Sequence, residues 1–222
     1  MIAVAGGKGG SGKTTTTLGL ARALSRRGAS AVAVDADWDL PNLARLASET
    51  TEMDRDEPIT VVEAVRDSGS VVSEGPPPTV LAAPVDADSV ASDPTFDALV
   101  NAVPDSAPTL IDCPAGASPD AAAPLRAADR SLLVTPLGRA ALRDAAKTAA
   151  IARRLDCPPL GVVAVRADTV PDPVADLLGC PVLGRVPAAA PAPLADSAVR
   201  SAYDDLARRL TSEYGSDRWR VA

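Results

Sequence analysis

Residues Gly7 to Thr14 read Gly-Lys-Gly-Gly-Ser-Gly-Lys-Thr and satisfy the pattern Gly-x-x-x-x-Gly-Lys-Ser/Thr in full. The apolar run Ile2–Ala5 before this stretch predicts a buried strand, and Thr14–Arg27 after it predicts a helix whose N-terminus points at the glycine-rich turn. In such a turn, successive backbone N–H groups converge on phosphate oxygens, and the helix end adds positive potential. The stretch therefore predicts a phosphate-binding loop.

Different side chains of this loop are expected to bind the phosphates and the metal ion of a nucleotide. We expect Lys13 to reach the β- and γ-phosphates and the Thr14 hydroxyl to bind Mg²⁺. Lysine occurs only at positions 8, 13 and 147, although the chain has 22 Lys plus Arg. Two of those lysines lie in the loop, where a flexible ammonium has a different use from a planar guanidinium. The predicted nucleotide-binding residues of the loop are Gly7, Lys8, Gly9, Gly10, Ser11, Gly12, Lys13, Thr14 and Thr15.

The bulk composition limits the classes to which the chain can belong. It has 222 residues, of which 46% are hydrophobic but only 2% aromatic, so alanine, valine and leucine must build the core of one globular α/β domain. The net charge of −7 argues against a large nucleic-acid-binding face. Because the chain has no histidine, His-based acid–base chemistry and His-containing metal sites are excluded.

The cysteines and the apolar runs predict a cytoplasmic protein. Cys113, Cys157 and Cys180 form no Cys-x-x-Cys pair, so neither a disulfide framework nor a thiolate cluster is expected. Cys113 is interpreted as a packed residue and not as a nucleophile. We expect no signal peptide and no membrane span.

Short β-branched runs alternate with helical patterns along the chain, which predicts a doubly wound α/β fold with a mainly parallel sheet and helices on both faces. We assign one domain to residues 1–212 and a polar tail to residues 213–222. The predicted strands are Ile2–Ala5, Ala31–Val34, Thr79–Ala82, Thr109–Asp112, Ser131–Thr135, Gly161–Val165 and Val182–Val186. The predicted helices are Thr14–Arg27, Val61–Arg66, Pro94–Ala102, Pro119–Ala127, Arg139–Leu155, Pro173–Leu178 and Pro193–Thr211.

Carboxylates follow two of the predicted strands. Asp35 and Asp37 come at the end of the second strand, and Asp112 closes the fourth. The carboxyl ends of parallel strands meet on the ligand side of such a sheet. Transfer of a phosphoryl group to water needs a residue that orients the water and residues that hold Mg²⁺. Asp35 and Asp37 are both in the right place to orient the water or to hold Mg²⁺, and Asp112 is the candidate for a second-sphere ligand of Mg²⁺, with the Thr14 hydroxyl on the ion itself.

Together these motifs resemble the MinD/ParA family of deviant Walker A P-loop ATPases, and more closely its MinD branch. The resemblance rests on the loop from Lys8 to Thr14, on Asp35-Ala36-Asp37 with Leu40-Pro41-Asn42-Leu43, and on Asp112-Cys113-Pro114-Ala115-Gly116. Val134-Thr135-Pro136, Arg143-Asp144 and Leu183-Gly184-Arg185-Val186-Pro187 are similar to later landmarks of the family, in the same order.

The resemblance implies a role for each matching residue. Lys8 would reach across a dimer to the partner's phosphates, Asp37 would position the attacking water, and Asp112 would organise Mg²⁺ through water. Arg166 and the segment after Pro187 would contact the adenine. The asparagine-bearing base-reading motif of the family is not evident, since the stretch reads Val165-Arg166-Ala167-Asp168.

The function implied is that of an ATPase that forms a homodimer around ATP and Mg²⁺ and hydrolyses ATP slowly, as a switch in spatial positioning or division-site regulation. A protein activator or cargo adaptor is the expected partner. Three alternatives stay open: a ParA-like DNA-partitioning ATPase, a small-molecule ligase or kinase of the same P-loop class, and a regulator that binds nucleotide without hydrolysing it. The absence of a cysteine pair disfavours an iron–sulfur carrier.

The last residues of the sequence differ from those of the membrane-binding MinD proteins in the family that the motifs resemble. Those proteins close with a basic amphipathic helix that lies on the membrane. Here the sequence reads Arg218-Trp219-Arg220-Val221-Ala222, which offers little apolar area. We therefore predict no intrinsic membrane anchor.

Overall fold

A computed structural model describes residues 1–7, 9–50, 58–66, 72–116 and 119–214. Within these ranges the strands form one seven-stranded sheet in the order β3-β2-β4-β1-β5-β6-β7, and every neighbouring pair is parallel. The strands are β1 (Ile2–Ala5), β2 (Val32–Asp35), β3 (Thr79–Leu81), β4 (Thr109–Asp112), β5 (Arg130–Thr135), β6 (Pro159–Val165) and β7 (Val182–Val186).

Helices cover both faces of the sheet. On one face lie α1 (Lys13–Arg26), α2 (Leu43–Glu49) and α8 (Ser197–Tyr214). On the other lie α3 (Val61–Arg66), α4 (Ser92–Ala102), α5 (Pro119–Ala127), α6 (Arg139–Arg154) and α7 (Pro173–Leu178). Two short 3-10 helices, Ala87–Ser89 and Pro193–Ala195, occur in the connections. This is the doubly wound α/β fold that the sequence predicted.

The inner strands are mostly apolar because helices cover both faces of the sheet. In β1, Ile2 and Val4 pack beneath α1 and α8, whereas Ala3 and Ala5 pack against the opposite layer. Small and branched aliphatic side chains form most of this core, as predicted. Each layer contains one large, almost fully buried aromatic residue that packs towards the sheet: Tyr203 of α8 on one face and Phe96 of α4 on the other.

The strand order places the phosphate loop at the centre of the sheet. Strand β1 lies between β4 and β5, so the loop that follows it has strand ends on both sides. In the parallel register Asp35 of β2 is directly opposite Asp112 of β4, and Asp112 is opposite Val4 of β1. Both carboxylates therefore emerge at the edge of the sheet from which the loop starts.

Several boundaries differ from the sequence-based prediction. Helix α2 was not predicted, and its N-cap residue Asn42 makes no side-chain capping bond. The predicted single helix from Pro193 is instead a 3-10 turn followed by α8. The Asp196 carboxylate caps the start of α8 by accepting hydrogen bonds from the N–H groups of Ala198 (2.8 Å) and Val199 (3.1 Å). Helix α8 runs three residues beyond the predicted end, to Tyr214. Residues 215–222 of the predicted tail, including Trp219, lie outside the described residues.

Candidate nucleotide-binding site

The N-terminus of α1 is built to receive an anion. Its N-cap is Gly12, which has no side chain to cap the helix, and its first turn carries no acidic residue. The free backbone N–H groups and the positive end of the helix dipole therefore face the loop. Helix α1 is 14 residues long and buried along most of its length, so this end is held in a fixed position.

Glycine is required at particular positions of the loop. Gly10 (φ +72°) and Gly12 (φ +92°) have left-handed backbones, which L-residues with side chains rarely adopt. A methyl group on Gly7 would come within 2.2 Å of the Cβ atom of Asp144, so helix α6 presses directly against the loop. Methyl groups on Gly9 or Gly10 would meet nothing within 4 Å, so this side of the loop is open to a ligand.

Lys13 is held among the predicted carboxylates. Its side chain is only 6% exposed; burial raises the pKa values of both Asp37 and Asp112, and the positive charge of Lys13 opposes that rise. The structure thus brings Lys13, Asp37 and Asp112 together, although 24 and 99 positions along the chain separate the aspartates from the lysine. A buried ammonium beside carboxylates and an open anion site is suited to the charge of a β- or γ-phosphate.

The Asp35 carboxylate has backbone hydrogen-bond donors around it that the sequence did not predict. Its carboxylate accepts hydrogen bonds from the backbone N–H groups of Asp37 (3.1 Å), Asn42 (3.1 Å) and Leu43 (3.0 Å). It therefore fixes both ends of the segment that carries Asp37 and supplies the cap that α2 lacks locally. Burial raises the pKa of Asp35 to about 6, and these three hydrogen bonds oppose the rise.

Asp112 is the more deeply placed carboxylate. It is 1% exposed, and the Thr17 hydroxyl lies 3.5 Å from its Oδ1 atom. Burial raises the pKa of Asp112 to about 7; a hydrogen bond from the Thr14 side chain lowers it, and the charge of Asp35 raises it further. Without a bound cation, burial disfavours the ionised form of this carboxylate. A cation bound nearby would stabilise the negative charge.

The residues fit Mg²⁺ bound partly through water. Charge repulsion from Asp37 raises the pKa of Asp35, and repulsion from both Asp35 and Asp37 raises the pKa of Asp112. Among the described residues, no group of three or more acidic or cysteine side chains has the geometry to hold a metal directly. Mg²⁺ commonly keeps several waters and takes one or two carboxylates plus phosphate oxygens. The donor set of Thr14, Asp35 and Asp112 suits that mode of binding.

The predicted base side of the site lies at the ends of β6 and β7. Arg166 donates from Nη2 to the carbonyl oxygen of Gly10 (3.0 Å) and has a left-handed backbone (φ +54°). Its guanidinium is therefore bound to the loop itself, which the sequence did not reveal. Pro187 follows β7 directly, and the N–H of Ala167 donates to the Val186 carbonyl (3.2 Å), so the two strand ends are tied together.

Trp38 is a further residue of the site that sequence reasoning missed. Its indole N–H donates to the Asp35 carbonyl (3.1 Å), and its ring stacks on Phe96 with centroids 5.5 Å apart. The segment behind Asp37 is thereby attached to helix α4. An aromatic residue among acidic ones was the available clue, because such a side chain is seldom left in water.

Some predicted residues stay as predictions. Lys8 lies outside the described residues, so its position within the loop is known from the sequence alone. The other predicted residues lie on the loop or in the first turn of α1: Gly7, Gly9, Gly10, Ser11, Gly12, Thr14 and Thr15.

The Ser11 hydroxyl is buried and has no hydrogen-bond partner in the described structure, which leaves it available to a ligand or to a rearranged loop. Cys113 is 2% exposed, and burial raises the pKa of its thiol well above the usual value, as expected for a packed residue.

A parallel sheet, a glycine loop on its central strand and carboxylates at the neighbouring strand ends define a P-loop nucleotide-binding protein. A family described as the CobQ/CobB/MinD/ParA nucleotide binding domain matches residues 2–197. The chain belongs to this family, which confirms the resemblance to MinD and ParA proteins. ATP and Mg²⁺ are the cofactors that the family uses, in agreement with the prediction.

Known proteins similar to the chain include a curated relative and two solved structures. The septum site-determining protein MinD of Synechocystis sp. is 30% identical over 154 residues, which are 65% of this chain and 56% of the relative. The chain thus spans less than two thirds of that relative's length. The cell division ATPase MinD of Pyrococcus furiosus has a TM-score of 0.79 at 24% identity, over 96% of this chain and 98% of its own. The septum site-determining protein MinD of Pyrococcus horikoshii, complexed with Mg-ADP, has a TM-score of 0.78 at 23% identity, over 96% of each chain. These structures share the fold.

No helix in the described ranges combines the length and the apolar character needed to cross a bilayer.

Proposed function

We propose that this protein is a MinD-like switch ATPase that dimerises around ATP and Mg²⁺ and hydrolyses ATP slowly to ADP and phosphate. In this proposal the protein is cytoplasmic and acts in spatial positioning or in regulation of the division site, with a protein activator or cargo adaptor as its partner. The observation that carries the proposal is the second lysine of the loop, Lys8, in a chain with lysine at only two other positions. Lys13 already occupies the buried position beside Asp37 and Asp112.

A second ammonium in the same loop has little use in a monomer. Two like charges serving one set of phosphates repel each other. In the sequence Lys8 stands directly before Gly9 and Gly10, where added atoms would meet nothing within 4 Å. A lysine at this point of the sequence is suited to reaching a nucleotide bound by a second subunit, where its charge would compensate two facing triphosphates.

The surface beside the site supports a dimer. Leu40, in the segment after β2, is 74% exposed, and Val85, in the loop after β3, is 95% exposed. Both segments leave the carboxyl edge of the sheet, where β2 and β3 are neighbours. Large apolar side chains exposed at one edge of a sheet are typical of a surface that becomes buried when a partner binds.

In this proposal each residue around the loop has its own role in ATP hydrolysis. Lys13 and the loop amides neutralise charge on the transferred phosphoryl group, and Asp37 orients the attacking water. Asp35 positions Asp37 through its hydrogen bonds to the backbone N–H groups of Asp37, Asn42 and Leu43. Thr14 and Asp112, with Asp35 at their side, would hold Mg²⁺, which supplies further charge neutralisation. Slow turnover suits a switch, because the lifetime of the dimer is then the output.

Light scattering on Lys8→Ala tests the proposal. With ATP and Mg²⁺ the wild-type protein is expected to be a dimer, and with ADP a monomer. Lys8→Ala is expected to bind ATP but to remain monomeric and inactive. Lys147→Ala is the matched control, because Lys147 is exposed on α6 and, among the described residues, its ion pair is the one with Asp144 at 3.5 Å. A Lys8→Ala protein that still dimerises would favour a monomeric enzyme acting on a small molecule. Wild-type protein that dimerises without releasing phosphate would favour a non-hydrolysing regulator.

One observation favours the ParA-like alternative as a second candidate. Arg139, Arg143, Lys147 and Arg154 are all exposed and follow one face of α6 at helical spacing. Arg153, by contrast, donates to the carbonyls of Leu178 (2.7 Å) and Gly179 (2.9 Å) and belongs to the fold. ATP-dependent retention on DNA that weakens with salt, and that is lost when Arg139 and Arg143 become alanine, would support this alternative.

A further inference from the structure

We propose that Trp38 is a positioning residue for Asp37, and that its contacts with Asp35 and Phe96 set the rate of ATP hydrolysis without adding to ATP affinity. The inference rests on the proposed function, because it concerns the water that Asp37 orients there. It is carried by the geometry of the segment from Asp35 to Leu43, which joins β2 to α2.

The two ends of this segment are held, and Trp38 lies between them. The Asp35 carboxylate accepts hydrogen bonds from backbone N–H groups at both ends, those of Asp37, Asn42 and Leu43. Residues 38–41 span the stretch between these donors. Trp38 is half-buried, whereas residues 39–41 are exposed. Within residues 38–41, Trp38 is therefore the side chain that packs the segment against the protein.

The position of the Asp37 carboxylate depends on that middle stretch. The carboxylate accepts a hydrogen bond from the backbone N–H of Leu40, which opposes the rise in the pKa of Asp37 that burial causes. The Leu40 side chain is 74% exposed, so its own packing does not hold that N–H in place. The path of the main chain from Trp38 onwards does. Fixing Trp38 therefore fixes the donor that orients the Asp37 carboxylate.

Trp38 is anchored in two directions. Its indole N–H donates to the Asp35 carbonyl (3.1 Å), at the end of β2. Its ring stacks on Phe96, with centroids 5.5 Å apart and ring planes inclined by 24°. Phe96 belongs to α4 and is 1% exposed, so the ring against which Trp38 packs is itself held by the close-packed core. The indole is thus fixed between a strand end and a helix.

These two anchors act on hydrolysis and not on ATP binding. In the proposed function the phosphates are bound by Lys13 and the loop amides, and the two anchors of Trp38 lie on β2 and α4. A displacement of about 1 Å of a group that orients a reactant can cost about 10² in rate. Loosening Trp38 should therefore lower kcat and kcat/KM equally, which is the sign of an interaction made in the transition state.

Steady-state phosphate release, with ATP affinity and dimerisation measured alongside, tests the inference. Trp38→Phe keeps an aromatic ring and removes the N–H donor, so kcat should fall about fivefold, the value of one neutral hydrogen bond. Phe96→Leu stays apolar and removes the stacked ring, so kcat should fall about two- to tenfold. Trp38→Ala removes both anchors and should lower kcat about 10²-fold. The KM for ATP, the affinity for a fluorescent ATP analogue and ATP-dependent dimerisation should match those of the wild type in all three variants.

Leu99→Val is the matched control, because Leu99 is fully buried in the same helix and the same core layer as Phe96. Leu99→Val should leave kcat unchanged. If it slows hydrolysis as much as Phe96→Leu does, the effect comes from general loosening of the core beside α4, and the inference is wrong. Trp38→Phe retains an aromatic ring, so it decides the case if Trp38→Ala folds poorly.

The outcomes separate this inference from the proposed function. A wild-type kcat in either Trp38→Phe or Phe96→Leu would overturn the positioning role, while the ATPase proposal would stand. A Trp38→Phe protein that binds ATP more weakly or fails to dimerise would assign Trp38 to binding or to the dimer interface, which also overturns the inference. Wild-type protein that releases no phosphate would contradict the proposed hydrolysis, and the role of Trp38 with it.

Discussion

The hydroxyl oxygens of Thr16 and Tyr203 lie 3.2 Å apart in the core, although 187 positions separate them along the chain. Thr16 is in the first turns of α1, directly behind the phosphate loop, and Tyr203 is in α8. Both side chains are buried, at 0% and 2% exposure. Helix α8 is therefore attached to the helix whose N-terminus faces the nucleotide, and it contributes to holding that N-terminus in place.

Removing this hydrogen bond should destabilise the protein moderately. Tyr203→Phe keeps the ring and leaves the Thr16 hydroxyl without its partner, so we expect a loss of about 1 kcal/mol in the free energy of unfolding. Urea denaturation of Tyr203→Phe, Thr16→Val and the double variant measures it. The double variant should lose less than the sum of the two single losses; strict additivity would show that the hydroxyls do not interact.

Gly19 is required by the same contact. A methyl group on Gly19 would lie 2.4 Å from the Cε2 atom of Tyr203, closer than real side chains approach. Gly19→Ala should therefore cost about 1–3 kcal/mol through overpacking, even though alanine favours helices. A melting temperature lowered by about 2–4 °C per kcal/mol would be the observed effect. Gly138→Ala is the control, since nothing lies within 4 Å of its added methyl group, and it should melt near the wild-type temperature.

Lys13→Ala should abolish nucleotide binding or nearly so. The Lys13 ammonium is buried beside Asp37 and Asp112, and without it the β- and γ-phosphates would face those carboxylates uncompensated. Equilibrium binding of a fluorescent ATP analogue is the measurement, with Lys147→Ala as the matched control. Undiminished affinity of Lys13→Ala would mean that the loop does not bind phosphate in the expected way.

Asp37→Ala should bind ATP and dimerise but fail to hydrolyse it. Asp37 is half-buried and charge-coupled to Lys13, while the phosphate contacts are made by other residues. Loss of a group that acts in the transition state typically costs about 10²–10³ in rate. Phosphate release by Asp37→Ala at the wild-type rate would exclude the role of orienting water. Asp39→Ala, two positions further on and exposed, is the control and should hydrolyse normally.

Sequence reasoning found those parts of the site that depend on short stretches of chain. The loop Gly7–Thr14 and the strand-end carboxylates were identified because their chemistry is fixed by residue type and spacing. Helix α2 was missed because the carboxylate that caps it, Asp35, lies eight positions before Leu43 and in another element. The pattern Leu43, Leu46 and Ala47 behind Asn42 was the available sign of a short helix.

The sequence by itself determined the class of this protein. Alternation of apolar strands and helical stretches can be satisfied only by a parallel sheet covered on both faces, and the loop pattern requires a strand before it and a helix after it. Both properties are local or periodic, so they are visible along the chain. The family assignment followed from the same residues.

The tertiary structure decided how the site is held together. The order β3-β2-β4-β1-β5-β6-β7 brings Asp35 opposite Asp112 and sets both beside Lys13. It also places Asp144 against Gly7, Arg166 on the Gly10 carbonyl and Tyr203 on Thr16. These contacts join residues that are far apart in the chain. Their energies depend on distance and burial, which no spacing of residues along a sequence specifies.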